Sequence, residues 1–260
     1  MQPSYDTVVI TGAGSGIGRA LSLAVAPRCR HLVLAGRRMA PLEESRRLAG
    51  KAAQTSLVEA DVTTAEGRKQ IAAAAGGSVD VLINNAGVVH SSLLENQDDA
   101  SFAAMLATNV AAPLALTRDL LPALRRARGR VVFVGSVFGD IGHPYFAAYS
   151  ASKHGLRGLA DALRRELAED GISVTYGAPR ATRTDATLSY QHLIGPLRMR
   201  VDTPEAVSRA LWRGIDRRSR SVYPAGIERF FVAVQRIAPQ LVDSGLAGLR
   251  QRVTRVTKTA

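Results

Sequence analysis

Residues 7–18 limit what this chain can fold into more than any other stretch. Thr7-Val8-Val9-Ile10 is a short β-branched run of the kind found in strands buried on both faces. Thr11-Gly12-Ala13-Gly14-Ser15-Gly16-Ile17-Gly18 follows at once, and a helical pattern runs from about Gly16 to Ala26. Glycine is needed in such a turn where the backbone adopts positive φ or where a pyrophosphate must approach closely. The helix start then offers unpaired N–H groups and a positive dipole to phosphate oxygens. Gly-rich segments alone mark any tight turn; between a buried strand and a helix, at the head of an alternating chain, the segment reads as a dinucleotide site.

The alternation continues to the end of the chain. His31–Ala35, Ser56–Ala60, Val79–Ile83, Arg130–Val134, Ile172–Tyr176 and Arg220–Tyr223 read as further strands. Helical patterns follow Pro41 and Thr64, cover about residues 100–127, run from Ala148 to Asp170, and begin again at Thr203-Pro204, an N-cap followed by proline. Strands and helices of these lengths in turn predict an α/β fold, a doubly wound parallel sheet with helices on both faces. One domain is expected over residues 1–226, with residues 227–260 a helical extension of it.

Composition narrows the function classes. The 260 residues are 46% apolar, enough for a sizeable core. No apolar run reaches the length of a membrane span, the start lacks the layout of a signal peptide, and the single Cys29 suits a reducing cytoplasm. The five His are scattered with no acid cluster at ligand spacing, so no metal site is expected. The net charge is +12, and residues 198–260 hold 13 basic and 5 acidic side chains. No finger, aromatic signature or continuous basic helix accompanies that surplus, which reads as a solvated arginine-rich surface rather than a nucleic-acid site.

Tyr149 and Lys153 lie four residues apart in a helical pattern and therefore on one face. An ammonium beside a phenol favours phenolate and lowers the phenol pKa, which suits a proton carrier for a carbonyl/alcohol pair.

With these residues in place the chain resembles the short-chain dehydrogenase/reductase family, in its branch of conventional length. The resemblance covers about residues 5–225. It rests on the Thr-Gly-x-x-x-Gly-x-Gly form at 11–18, Asp61, Asn84-Asn85-Ala86-Gly87, Asn109, Ser136, Tyr149 and Lys153, in the family's order and spacing. It implies a seven-stranded parallel sheet of order 3-2-1-4-5-6-7 and an oxidoreductase that uses a nicotinamide cofactor, as a homodimer or homotetramer. It also implies roles. Tyr149 is the acid/base group, Lys153 lowers its pKa and holds the nicotinamide ribose, Ser136 donates to the substrate oxygen, and Asn109 holds a water that links Lys153 to solvent. Gly12, Gly16, Ile17 and Gly18 form the turn at the dinucleotide, Ser15 adds a hydroxyl donor for a 2′-phosphate, Asp61 and Val62 contact the adenine, and Asn85, Ala86 and Gly87 line the cofactor. Pro179 and Thr184 flank the nicotinamide. Each of three residues also has a plain structural reading: Ser136 as the end of the fifth strand, Asn109 as the cap of a kink in its helix, and Asp61 as an ordinary turn residue.

After the second strand an NAD site usually carries a carboxylate; here Gly36 is followed by Arg37 and Arg38. Paired guanidinium donors suit a 2′-phosphate, so NADP(H) is expected in preference to NAD(H). Arg180 stands where the family usually has glycine. It has three readings: it binds an anionic substrate, folds out to solvent, or weakens cofactor binding. The last feeds a rival hypothesis, a non-catalytic NADP(H)-binding regulatory protein. The substrate lid falls at about 185–201, with Leu188, Tyr190, His192, Leu193, Ile194, Leu197, Arg198 and Arg200; with Phe138, His143, Tyr145 and Phe146 it would enclose a mostly apolar substrate. In the extension, Phe230, Phe231, Val234, Ile237, Leu241 and Val242 and later Leu246, Leu249, Val253 and Val256 fall near helical spacing among arginines. Docking onto the protein's own body, onto a second subunit, or onto an anionic membrane as a peripheral contact all fit that pattern.

Overall fold

The computed structural model describes residues 4–51, 53–249, 251 and 253. Strands β1 (Tyr5–Thr11), β2 (Cys29–Gly36), β3 (Gln54–Glu59), β4 (Val81–Asn84), β5 (Arg130–Val134), β6 (Ser173–Gly177) and β7 (Ser221–Val222) form one sheet. Their order is β3-β2-β1-β4-β5-β6-β7, and every neighbouring pair is parallel. This is the doubly wound sheet expected from the alternation.

The helices are α1 (Gly16–Val25), α2 (Met39–Ala49), α3 (Ala65–Ala75), α4 (Asp99–Leu106), α5 (Ala112–Asp119), α6 (Leu121–Ala127), α7 (Ala147–Glu166), α8 (Asp185–Leu188), α9 (Gln191–Ile194), α10 (Pro204–Asp216), α11 (Glu228–Ile237) and α12 (Pro239–Leu246). Because side chains alternate along a strand, β1 sends Val9 to one face and Val8 and Ile10 to the other. Ile71 of α3, Leu116 of α5, Leu124 of α6 and Leu156 of α7 cover the Val9 face. Leu21 of α1, Leu42 of α2 and Leu211 and Trp212 of α10 cover the other. Thr203 caps α10 by accepting from the Ala206 N–H at 3.2 Å, with Pro204 in the first turn, as the sequence pattern predicts.

Two expectations change. The single helix over 100–127 is broken: a π-helical turn, Ala107–Ala111, joins α4 to α5, and a second break separates α6. The absence of any span-like segment is also revised. Asp99–Asp119 has the length and a mean hydropathy of 1.4 that a membrane span would need. Here it is a layer helix, since Met105, Asn109, Ala112 and Leu116 are buried against the body while Phe102, Leu106 and Leu114 face out.

The extension docks on the body. Val232, Val242, Leu249 and Val253 are buried, and Leu249 and Val253 pack with Phe146, Tyr190, Leu193 and Leu197. Ile227, Phe230, Phe231, Ile237 and Leu241 stay exposed. Val256, Arg250, Arg252 and Arg255 lie outside the described residues.

Where β1 meets β4 the strand order reverses, and a crevice opens at the carboxyl ends. Thr11 stitches that point: its Oγ1 accepts from the Asn85 and Ala86 N–H groups, both at 3.0 Å, and lies 3.3 Å from the Ile83 carbonyl. Thr11→Val keeps the shape but strands two N–H donors, so it should lower unfolding stability by roughly 2–4 kcal/mol in urea titration.

Candidate active site

A cleft of about 670 Å³ crosses the carboxyl ends of the strands, from Arg37 and Asp61 at one end to Tyr149, Tyr190 and Phe231 at the other. Every residue expected at the site except Asn109 and Gly18 lines it directly. Those two stand immediately behind its wall. A Cβ on Gly18 would overlap the Gly12 carbonyl oxygen, so this glycine is required by helix-to-turn packing.

At the chemical end, α7 carries Tyr149 and Lys153, and the 3-10 turn after β5 begins at Ser136. Ser136 Oγ accepts from the Phe138 N–H at 3.1 Å, which leaves its own O–H free to donate into the cleft. The Lys153 ammonium is buried, donates to the Val134 carbonyl at 3.0 Å and lies 5.6 Å from the centre of the Tyr149 ring. The ammonium sits over the ring rather than against the hydroxyl. Burial among aromatic rings pushes the Tyr149 phenol above its ordinary value, the Tyr190 hydroxyl adds to this, and Ser136 opposes it. The lowering by Lys153 that the spacing suggests is therefore not the dominant effect here; burial is. The same burial brings Lys153 down to about 8.

Asn109 is fully buried in the π-turn. Its Oδ1 accepts from the Val88 N–H at 2.9 Å, and its Nδ2 donates to the Val88 carbonyl at 2.9 Å and to Ser152 Oγ at 3.0 Å. A Cβ on Gly87 would lie 3.1 Å from Asn109 Oδ1 and 3.6 Å from Lys153 Nζ, so both groups flank one stretch of backbone. Asn109 thus ties the loop after β4 to α7.

At the other end, Ser15 is the N-cap of α1 but makes no side-chain cap bond, which leaves its hydroxyl to an incoming group. Gly16, at φ +50, packs against Thr184, whose Cγ2 would be 2.6 Å from an added Cβ. Arg37 and Arg38 are exposed, and among the described residues neither forms an ion pair. The Asp61 carboxylate accepts from the Thr63 N–H at 2.8 Å and the Thr63 hydroxyl at 2.7 Å, bonds that hold it below its usual pKa. Asp61 therefore shapes its own turn as well as the cleft edge. Asn85 Nδ2 is spent on the Thr11 and Gly12 carbonyls at 2.9 and 3.2 Å, bracing the glycine turn. An open glycine turn, a free cap hydroxyl and uncommitted guanidinium groups fit a dinucleotide with phosphates at this end.

Of the substrate-end residues, Phe138, His143, Phe146, Tyr190, Leu197, Arg198 and Arg200 line the cleft. Tyr145, Leu193 and Ile194 pack behind it, while Leu188 and His192 face outward. Sequence reasoning missed Tyr176. This fully buried β6 side chain donates to the Ser136 carbonyl at 3.0 Å and accepts from the Ser136 N–H at 3.2 Å, fixing the backbone that presents the serine. A Cβ on Gly135 would run into its ring and one on Gly139 into its hydroxyl. The glycines on either side of Ser136 were the available signal, since each marks a space filled from elsewhere. Arg180 does not fold out to solvent: its side chain is bound to Asp202, Glu228 and the Ala225 carbonyl.

The sequence pattern of the family described as short chain dehydrogenase matches residues 6–192. The chain belongs to the short-chain dehydrogenase/reductase family. Relatives within it include a Bos taurus protein named dehydrogenase/reductase SDR family member 7B, 37% identical over 193 residues. That match takes in 70% of this chain but only 59% of the relative's length. Among solved structures, a Sphingobium yanoikuyae short-chain dehydrogenase in complex with NADPH superposes with a TM-score of 0.75 at 28% identity, covering 93% of this chain and 94% of that one. A Brucella melitensis 3-ketoacyl-(acyl-carrier-protein) reductase complexed with NADH gives a TM-score of 0.75 at 25% identity, over 85% and 97%. Family members thus bind either nicotinamide on this fold.

The buried Lys153 gives a signature in stability. Its folded pKa, about 8, lies below the unfolded value, so the unfolded chain binds the extra proton between those values. Wild type should gain stability relative to Lys153→Met, by roughly 1–3 kcal/mol, as pH rises from about 8 towards 10 in denaturant titrations of the cofactor-free protein.

Proposed function

We propose that the protein is an NADP(H)-dependent oxidoreductase that interconverts a carbonyl compound and a secondary alcohol. One observation carries this reading: the Tyr149 and Ser136 hydroxyls converge beside Lys153 at one end of a cleft whose other end holds the glycine turn and two uncommitted arginines. A nicotinamide bound there supplies or accepts the hydride at the carbonyl carbon. Tyr149, with its pKa raised, keeps its proton at neutral pH and can give it to a carbonyl oxygen. Ser136, anchored on both backbone sides by Tyr176, donates a preorganised hydrogen bond to the same oxygen. Lys153 contributes positive charge behind the phenol, and Asn109 fixes the backbone next to it. The resemblance's role for Asn109 in proton resupply and for Lys153 at the ribose belongs to this same reading.

Arg37 and Arg38 support NADP(H) over NAD(H), because neither is tied into an ion pair among the described residues and no carboxylate directly follows β2. The rival, non-catalytic reading leaned on Arg180 crowding the cofactor. Its engagement by Asp202 and Glu228 takes that support away. Exposed Phe102, Leu106 and Leu114 on the α4–α5 face support a homodimer or homotetramer buried through that face.

Wild type should consume NADPH with members of a ketone and aldehyde panel. Tyr149→Phe should reduce kcat by about 10²–10⁴-fold while NADPH still quenches protein fluorescence. Turnover that survives the change removes Tyr149 from its role. Arg37→Asp should shift the NADP/NAD preference towards NAD by about tenfold or more in kcat/KM. A ratio that does not move defeats the 2′-phosphate assignment.

A further inference from the structure

We propose that Arg180 makes the C-terminal extension a wall of the substrate site, and that this wall selects carbonyl substrates with an alkyl or aryl body. The inference deepens the oxidoreductase reading above and rests on it for the identity of the substrate end.

Arg180 follows Pro179 in the loop leaving β6 and uses all three guanidinium nitrogens. Nε donates to Asp202 Oδ2 at 2.9 Å, Nη1 to Glu228, and Nη2 to the Ala225 carbonyl at 3.0 Å. Three segments meet on this one side chain. Asp202 closes the lid region, where it forms a parallel bridge with Thr182, its N–H donating to the Ala181 carbonyl at 2.9 Å. Ala225 and Glu228 bracket the start of α11. The side chains of Arg180, Asp202 and Glu228 are only 13%, 22% and 17% exposed, so solvent screens these pairs far less than surface ones.

The turn into α11 is shaped around the guanidinium. Gly226 sits at φ +139, and a Cβ there would lie 2.6 Å from Glu228 Oε2 and 3.4 Å from Arg180 Nη1. At the far end of the helix, Arg236 reaches Asp140 Oδ1 at 3.0 Å, and Asp140 lies just after the turn that begins at Ser136. Held at both ends, α11 puts Ile227 and Phe231 into the cleft lining together with Tyr190, Leu197 and Met199 of the lid. A glycine at position 180 would remove the cation that Asp202 and Glu228 share, leaving the Arg200 guanidinium near the turn at Gly226. The departure from the family's usual glycine is thus matched by a wall that the departure holds in place.

The full chain is compared with Arg180→Gly, the milder Arg180→Gln and Phe231→Ser. Three quantities are read: amide hydrogen exchange over 228–237, NADPH affinity, and kcat/KM for methyl ketones of increasing alkyl length. Both Arg180 variants should speed exchange in α11 by about tenfold or more while strand amides stay protected. Arg180→Gly and Phe231→Ser should each lose about tenfold of the preference for long over short ketones. NADPH affinity should stay within about threefold of wild type in every variant. Unchanged exchange in both Arg180 variants overturns the latch. An NADPH affinity loss of about tenfold with chain-length preference intact reassigns Arg180 to the cofactor and overturns it too. Absence of NADPH consumption by wild type with every ketone sinks the oxidoreductase reading and the substrate class with it, while the exchange data still decide the latch.

Discussion

The junction of β1 and β4 is the constraint on which the rest of the molecule depends. Parallel strands that diverge on either side of it must leave a crevice at their carboxyl ends, and that crevice has to be kept open without exposing unpaired backbone. Thr11 does this with one hydroxyl shared between the Asn85 and Ala86 amides, while the Asn85 side chain returns to the Thr11 and Gly12 carbonyls. The glycine turn is therefore braced from β4, not only from its own helix. The glycine turn that would meet the phosphates hangs from that brace.

A second support works at the chemical end. Ser136 depends for its direction on a phenol from the neighbouring strand, and Tyr176 in turn packs under the Arg157 guanidinium at 4.8 Å. Arg157 also donates to Tyr223 at 2.7 Å and pairs with Asp140 at 3.3 Å. The serine, the turn that follows it and Asp140, the partner of Arg236, thus share one scaffold of hydrogen bonds and a cation–π contact. A change at any of these residues should be felt at the serine through geometry rather than through direct contact.

Much of this was legible in the sequence, for an identifiable reason. The sheet, the glycine turn and the Tyr149/Lys153 face arise from local periodicity and short spacings, which a linear reading captures. Asn109 shows the limit. Its helix reads as continuous, while the residue sits in a π-turn and bonds to Val88, 21 residues away in sequence. Tyr176 reads as one more apolar strand residue, because its hydroxyl partner lies 40 residues away. Arg180 was recognised as out of place, yet its chemistry alone looks the same in an anion site and in an ion pair; only Asp202 and Glu228, 22 and 48 residues on, distinguish them. Lys153 is the subtler case. Its position followed from spacing, but how far it sets the phenol's acidity depends on burial, which spacing does not report.

The wall formed by Ile227 and Phe231 comes from a stretch beyond residues 6–192, the part of the chain that carries the family pattern. Admission therefore draws on a stretch outside that pattern as well as on Phe146 and Tyr190 within it. In practical work, a change within residues 227–231 is not a neutral edit to this protein, since it acts on the surface that would meet the incoming molecule.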